Sequence, residues 1–323
     1  MSSIWSILAV VLVGGVVAST QAGAQEKFPS RPIEIIVPTP AGGSVDIIVR
    51  LLGEAVEPIL GQKVVAVNKP GGGGTIGMSV LVQARADGYT LGGLWNGPLT
   101  MTPHSQAVPY TLQDFVALAL IDHAPLVMCT RPDFPANSGK EFVDQLRNSP
   151  NKYTYGTEGV ASTIQLSTER VFARLGIKAR AVPFGGGGET LKNFLGGHLD
   201  FYSGSLPPIV AQVKAGAAKC LLLTSKERHP AVPQAASLTE LGVPDAATYV
   251  WHGIIAPKGL PLDRIAILEK AFVQATKNEK FKQAAEATGV TVVGVGAGEF
   301  RDLIDTEYKA MGDIVTSLGL GKK

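Results

Sequence analysis

Ile33-Glu34-Ile35-Ile36-Val37-Pro38-Thr39-Pro40-Ala41-Gly42-Gly43-Ser44-Val45-Asp46-Ile47-Ile48-Val49-Arg50 reads as a strand, a turn of small residues and the start of a helix. Ile33 to Pro38 is a short run rich in β-branched residues, the composition that fits a pleated, buried strand. From Asp46 to Leu60, the residues Ile47, Ile48, Leu51, Leu52, Ala55, Val56 and Ile59 fall on one helical face, with Asp46, Arg50 and Glu54 opposite at spacing four. A strand feeding directly into an amphipathic helix is the unit of a parallel sheet covered by helices. The fold class is therefore α/β.

Working outward, the pattern repeats. A strand at Lys63 to Asn68, a glycine loop, a helix at Ile76 to Ala84 and a strand at Tyr89 to Leu94 complete a first βαβαβ unit. A second series begins with strand Leu126 to Thr130. It continues through helix Gly139 to Arg147, strand Tyr153 to Tyr155, helix Thr163 to Leu175 and strand Ala179 to Pro183. Helix Glu189 to Leu195, strand Asp200 to Ser203, helix Pro208 to Ala215 and strand Lys219 to Thr224 follow. A fresh strand at Tyr249 to Ala256 precedes long helices at Leu262 to Lys277, Lys280 to Thr288 and Gly298 to Leu318. Those helices are expected to return to the first lobe. The predicted organisation is 25–125 for the first part of lobe 1, 126–249 for lobe 2 and 250–323 for the return, with chain crossings near 125 and 250 forming a hinge.

A chain of 323 residues, 45% hydrophobic, carries enough apolar material for two cores. The net charge of +2 and the absence of Lys/Arg runs exclude the basic field of a nucleic-acid binder. Residues 1–24 read as an export signal: the apolar stretch Ile4 to Ala18 leads to Ala22-Gly23-Ala24, with cleavage predicted after Ala24, and a membrane anchor is the alternative because no Lys or Arg precedes the apolar stretch. No later segment is long and apolar enough to span a bilayer, so the mature protein is expected in the periplasm. Cys129 and Cys220 each sit in an apolar run and read as two buried thiols in adjacent strands, a disulfide being the alternative. The five histidines show no paired ligand spacing, so no metal is expected.

Two loops carry the binding chemistry. At Thr39 to Asp46 glycines turn the chain and leave backbone N–H groups uncovered just where a helix begins, which suits an anion; a capped turn with Ser44 or Asp46 as N-cap is the alternative. Tyr155-Gly156-Thr157-Glu158-Gly159-Val160-Ala161-Ser162-Thr163 repeats that logic in the second lobe, with Thr157 and Ser162 as donors. Facing loops at the C-terminal ends of strands make a cleft for a carboxylate, and since neither loop contains Arg, amides and hydroxyls are expected to hold it. Gly72-Gly73-Gly74-Thr75-Ile76-Gly77 satisfies a dinucleotide-binding pattern, but Trp95 and Asn96 stand where a ribose-binding acid belongs. It reads as a closely packed turn, and no cofactor is expected. Gly42-Gly43-Ser44-Val45-Asp46 fails the nucleophile-elbow pattern at its last position, and no H-E-x-x-H exists. The chain reads as a non-enzyme. Trp95 and Trp251 are assigned to core packing, with lining the pocket as the alternative.

Several ordered motifs resemble the Bug family of periplasmic receptors, partners of tripartite tricarboxylate transporters. They are Pro32-Ile33 through Asp46, Asn68-Lys69-Pro70-Gly71 to Gly77, Ala86 to Leu91, Tyr155-Gly156-Thr157, Leu195-Gly196-Gly197-His198-Leu199-Asp200, Leu222 to Ser225, and Trp251-His252-Gly253 with Ala256-Pro257. The resemblance implies a type II periplasmic-binding fold and a ligand carboxylate held between the two helix-start loops. It points to Thr39, Ala41, Gly43 and Ser44 on one side and Thr157, Ser162 and Thr163 on the other. Asp46 also matches and is weighed equally as a cap; Gln165 stands where the family has histidine. Other departures are Ala161 for a glycine, Phe184 to Thr190 for a lysine-containing segment and Gly204 for an aspartate. They imply a weakly charged monocarboxylate, aromatic or aliphatic. The implied partners are a small carboxylate and the membrane subunits of a transporter, the receptor itself being a monomer. The rival classes are a sensory receptor for a signalling partner and a periplasmic enzyme with a nicotinamide cofactor.

Overall fold

The computed structural model describes residues 27–317 and 321, so the export signal expected over residues 1–24 lies outside the described residues. Strand β1 (Ile33–Val37) runs straight into helix α1 (Ser44–Leu60), and β2 (Val64–Asn68), α2 (Thr75–Val82) and β3 (Thr90–Trp95) follow. β1 lies between β2 and β3, parallel to both. A turn of π-helix at Gly97–Met101 leads into α3 (Thr102–Ser105) and then β4 (Phe115–Thr130), a strand of 16 residues. The next elements are α4 (Gly139–Arg147), β5 (Thr154–Thr157), α5 (Thr163–Leu175), β6 (Arg180–Pro183) and α6 (Gly187–Leu195). They are followed by β7 (Phe201–Ser205), α7 (Val210–Lys214) and β8 (Lys219–Leu223). The chain returns through β9 (Tyr249–Pro257), α8 (Leu262–Ala275), α9 (Glu279–Ala287), β10 (Thr291–Gly296) and α10 (Ala297–Ser317).

Strand order is β2-β1-β3-β9-β4-β7-β5-β6, with β10 and β8 also pairing β4. The first half of β4 pairs antiparallel with β9 and β10, its second half antiparallel with β7 and β8. The expected parallel pairing therefore holds at the outer strands, while the middle of the sheet is antiparallel. Only the part of β4 from Leu126 was expected as strand. The preceding stretch escapes pattern reading because Asp122, His123 and Pro125 interrupt its apolar run. β10 was also missed; its Thr-Val-Val-Gly-Val-Gly sequence is short, glycine-broken and half exposed.

The two crossings lie side by side. Ala124 pairs with Val250 and Pro125 with Tyr249. Thr224 ties them together: its Oγ1 accepts from the Leu126 N–H at 2.9 Å and donates to the Thr248 carbonyl at 2.7 Å. On one side of these crossings Ile48, Leu52 and Val56 of α1 share a buried cluster with Leu268 and Phe272 of α8 and Phe281 of α9. On the other, Phe142, Tyr155, Phe172 and Phe201 form a separate aromatic cluster. Each side has its own core, and truncating a wholly buried leucine such as Leu52 to alanine is expected to cost about 2–5 kcal/mol.

The cysteines correct an expectation. Cys129 and Cys220 occupy adjacent strands as read, but they are directly opposed in the β4/β8 register and form a disulfide rather than two thiols. Opposed positions on neighbouring strands bring the two side chains within bonding reach. Spacing in the sequence carries no information about that register. The glycine loop behaves as a packed turn: a Cβ at Gly77 would stand 2.7 Å from Pro38 Cβ, and one at Gly74 2.9 Å from the Trp95 ring. Trp251 is a core residue, edge-on to Phe300.

Candidate functional site

The site forms where the starts of α1 and α5 face each other. At α1 the N-cap is Gly43, which has no side chain to cap with, and the first helical residue is Ser44. Its hydroxyl is free to leave the helix, and Ser44 Oγ lies 2.6 Å from His252 Nε2. His252 Nδ1 in turn lies 2.6 Å from Asp122 Oδ1. Histidine and aspartate come from β9 and β4, where they are partners in the ladder beside a register irregularity. All three are withdrawn from solvent: Ser44 is 9% exposed, His252 1% and Asp122 0%.

Asp46 turns the other way. Its Oδ2 accepts from the Gly42 N–H at 2.9 Å, and its Oδ1 accepts from Asn68 at 2.9 Å and pairs with Arg50 at 2.8 Å. Burial alone would raise its carboxyl, but hydrogen bonds from Arg50, Gly42 and Asn68 together outweigh that and hold it below the usual aspartate value. Asp46 thus shapes the loop that presents Ser44. Thr39 reaches the cavity wall with Oγ1 buried and without a hydrogen-bond partner, and Ala41 is exposed at the rim with its carbonyl towards Gly188.

At α5 the same kind of loop is wired locally. Ser162 is the N-cap and its Oγ accepts from the Gln165 N–H, while Gln165 Oε1 accepts from the Ala161 N–H at 2.8 Å. That is a variant of the capping box, and it holds Ala161 at a φ of 55°. Thr157 is buried and donates to the Gly159 carbonyl, so its hydroxyl serves the loop. Thr163 Oγ1 is buried without a hydrogen-bond partner.

Between the two starts is a cavity of about 20 Å³, lined by Thr39, Gly43, Ser44, Val45, Trp95 and Val250 with His252 on one side and by Glu158, Ile164, Gly187 and Ser205 on the other. That is room for about one water. A neighbouring hollow of about 260 Å³ shares the walls Trp95 and Glu158 and takes in Ser162 and Thr163. The two sides close on one another: a Cβ at Gly186 would stand 3.2 Å from Pro40. Of the residues expected from the sequence, Thr39, Gly43 and Ser44 line the small cavity, and Ser162 and Thr163 line the adjoining hollow. Asp46, Thr157 and Gln165 support the loops instead.

Glu158, His252 and Asp122 were missed as a group. Burial pushes the Glu158 carboxyl up to about 7, while the charge of His252 pulls it the other way. Among the described residues, no lysine or arginine lines the small cavity. Trp95 does both jobs offered for it, packing in the core and walling the cavity. A sequence signal for His252 existed in the Trp-His-Gly motif, but none existed for Asp122.

A two-sided α/β molecule with adjacent crossings and a cavity between facing helix starts defines the class of type II periplasmic binding proteins. Residues 48–320 match the tripartite tricarboxylate transporter family receptor, TctC, and the chain belongs to that family. Similar proteins include BugT of Bordetella pertussis, 28% identical over 312 residues that cover 96% of this chain and 95% of that protein. A solved periplasmic transporter is 31% identical with a TM-score of 0.87, covering 91% of this chain and 99% of that one. MatC of Rhodopseudomonas palustris, solved with bound malate, is 25% identical with a TM-score of 0.80, covering 89% and 100%. The family is one of solute receptors rather than enzymes.

Proposed function

We propose that this receptor captures a small carboxylate between the starts of α1 and α5, closes around it and delivers it to the membrane subunits of a tripartite tricarboxylate-type transporter. The observation that carries this reading is the cavity itself. Two helix N-termini, the Ser44 hydroxyl and the unpartnered Thr39 hydroxyl converge on a space that, among the described residues, no lysine or arginine lines. Helix N-termini and hydroxyls are sufficient donors for one carboxylate. The malate bound by MatC supports the ligand class. Glu158 on the facing wall, its carboxyl raised to about 7, carries negative charge as pH rises through that value, which disfavours a second ionised carboxylate and supports a monocarboxylate or a ligand with a neutral far end.

The cavity is too small to admit such a ligand without opening, so capture requires the two sides to separate at the paired crossings. In this reading residues 25–125 and 250–323 move as one lobe and 126–249 as the other. Differential affinity for the closed form supplies the shift. The export signal over residues 1–24 and the disulfide, which persists in oxidising compartments, support a periplasmic location. No chemistry is done on the ligand.

The test is a thermal-shift screen of the chain from Gln25 against mono-, di- and tricarboxylates, amino acids and aromatic acids, with NAD as control. A ligand at 100 times its Kd stabilises by about 2.7 kcal/mol. A shift with one carboxylate class is the expected result. A shift with NAD alone would refute the reading.

A further inference from the structure

Ser44, His252 and Asp122 stand in the order of a nucleophile, a base and an orienting carboxylate. The direction of the hydrogen bonds along that line decides what it can do. We propose that His252 and Asp122 are positioning residues that fix Ser44 as a hydrogen-bond donor into the cavity, so that the site selects an ionised carboxylate over its neutral amide. This rests on the receptor reading above and names the residues that set its specificity.

Asp122 is wholly buried; Oδ1 has His252 Nδ1 as partner, and Oδ2 has no hydrogen-bond partner. With Oδ2 buried and unpartnered, a lone carboxylate charge there is uncompensated, which favours the arrangements of the Asp122–His252 pair that carry no net charge. There are two ways to achieve that. Either Asp122 is ionised and the imidazole carries both hydrogens, or the shared hydrogen sits on Asp122 and the imidazole is neutral. In both, Nε2 keeps its hydrogen and donates to Ser44 Oγ. The Ser44 hydrogen then cannot point back at Nε2 and is directed into the cavity.

The opposite polarity, with Nε2 accepting from Ser44, is the arrangement that activates a nucleophile. It requires an ionised Asp122 beside a neutral imidazole, a net negative charge buried behind a cavity that already has Glu158 on its far wall. Burial thus turns a triad-like line into an anion reader. A ligand carboxylate accepts from Ser44, whereas an amide placed with its NH₂ towards Ser44 meets a donor and leaves both hydrogens unsatisfied.

The experiment has two arms. In the first, ¹⁵N NMR of the imidazole rings in the wild-type protein, with His252 assigned by the signals lost in His252→Gln, is expected to show hydrogen on Nε2. A bare Nε2, or covalent labelling of Ser44 by a fluorophosphonate, would overturn the proposal without any ligand being known. In the second, calorimetry compares malate with malamide and benzoate with benzamide in wild type and His252→Phe. Phenylalanine offers the Ser44 hydroxyl no hydrogen bond, so the hydroxyl is free to accept from an amide as well as to donate to an acid. The preference for acid over amide is then expected to fall by about tenfold or more, and an unchanged preference in a folded variant would overturn the proposal. Wild type binding an amide as tightly as its acid would overturn the proposed selectivity while leaving the receptor reading standing.

Discussion

The starts of α1 and α5 are built from the same kind of sequence, a strand, a loop of small residues and a hydroxyl at the helix entrance, yet they use that hydroxyl differently. Ser162 caps its own helix and is answered three residues later by Gln165. Ser44 stands one position inside its helix, behind a glycine that cannot cap, and bonds to His252, 208 residues away. A hydroxyl that serves as N-cap is spent on the backbone. A hydroxyl at the first helical position is available to the cavity and can be oriented from outside. In the proposed reading the first side of the cleft therefore reads the ligand, and the second supplies a wall that carries Glu158.

That contrast can be broken at several points. The largest expected effect falls on the second side as a whole, which alone is cross-linked. Replacing Cys129 and Cys220 together by alanine opens a loop with a sequence separation of 91 and is expected to cost about 2–5 kcal/mol, read by urea unfolding. Binding at low temperature should survive, because the Ser44 relay lies outside that loop. A loss of binding equal to the loss of stability would show that the two sides are not separable.

Next is Ser44→Ala. Removing a donor to a charged group is expected to weaken carboxylate binding by about 1.5–3 kcal/mol, or roughly 10- to 150-fold, and the free protein is expected to lose about 1–3 kcal/mol because the buried His252 Nε2 loses its Ser44 partner. Calorimetry and a melting curve measured together check both halves of that statement.

Glu158→Gln probes the facing wall through pH. The Glu158 carboxyl is raised to about 7 from an ordinary value of 4.5, chiefly by burial. The folded state therefore holds a proton that the unfolded state has released between those values. Its contribution to stability is fully present below pH 4.5 and is lost as pH rises through 7. Tyr202 on β7 and His252 on β9 are the titratable groups coupled to it. Compared with Glu158→Gln, the wild-type melting temperature should fall over this window, and its carboxylate affinity should fall with it as a charge appears opposite the ligand. A wild-type profile as flat as that of the variant would show that Glu158 titrates as a solvated acid.

The smallest effect is expected from Ser162→Ala, about 1 kcal/mol of stability from the lost cap and a weaker, indirect effect on binding. Gln165→Ala should behave similarly, since its amide oxygen holds Ala161 in a left-handed conformation.

What the sequence could reveal follows the same division. The β1–α1 unit and the helices Gly139–Arg147 and Thr163–Leu175 depend on contacts a few residues apart and were legible, whereas Ser162, read as a donor to the ligand, is the N-cap of α5. The full length of β4 was not, because Asp122, His123 and Pro125 look like a break until β9 is seen to pair with them. Asp122 and His252 share one rung of that ladder, and Ser44 meets them only after α1 packs against the sheet. Sequence separation hides such a line completely. The disulfide was hidden for the same reason: two cysteines in apolar strands are thiols or a bridge according to register alone.

The most direct measurement of the division between the two helix starts is calorimetric titration of wild type, Ser44→Ala and Ser162→Ala with the carboxylate that gives the largest thermal shift. Affinity should fall by an order of magnitude or more in Ser44→Ala and by much less in Ser162→Ala. Equal losses, or a larger loss in Ser162→Ala, would contradict the assignment of Ser44 as the residue that reads the ligand.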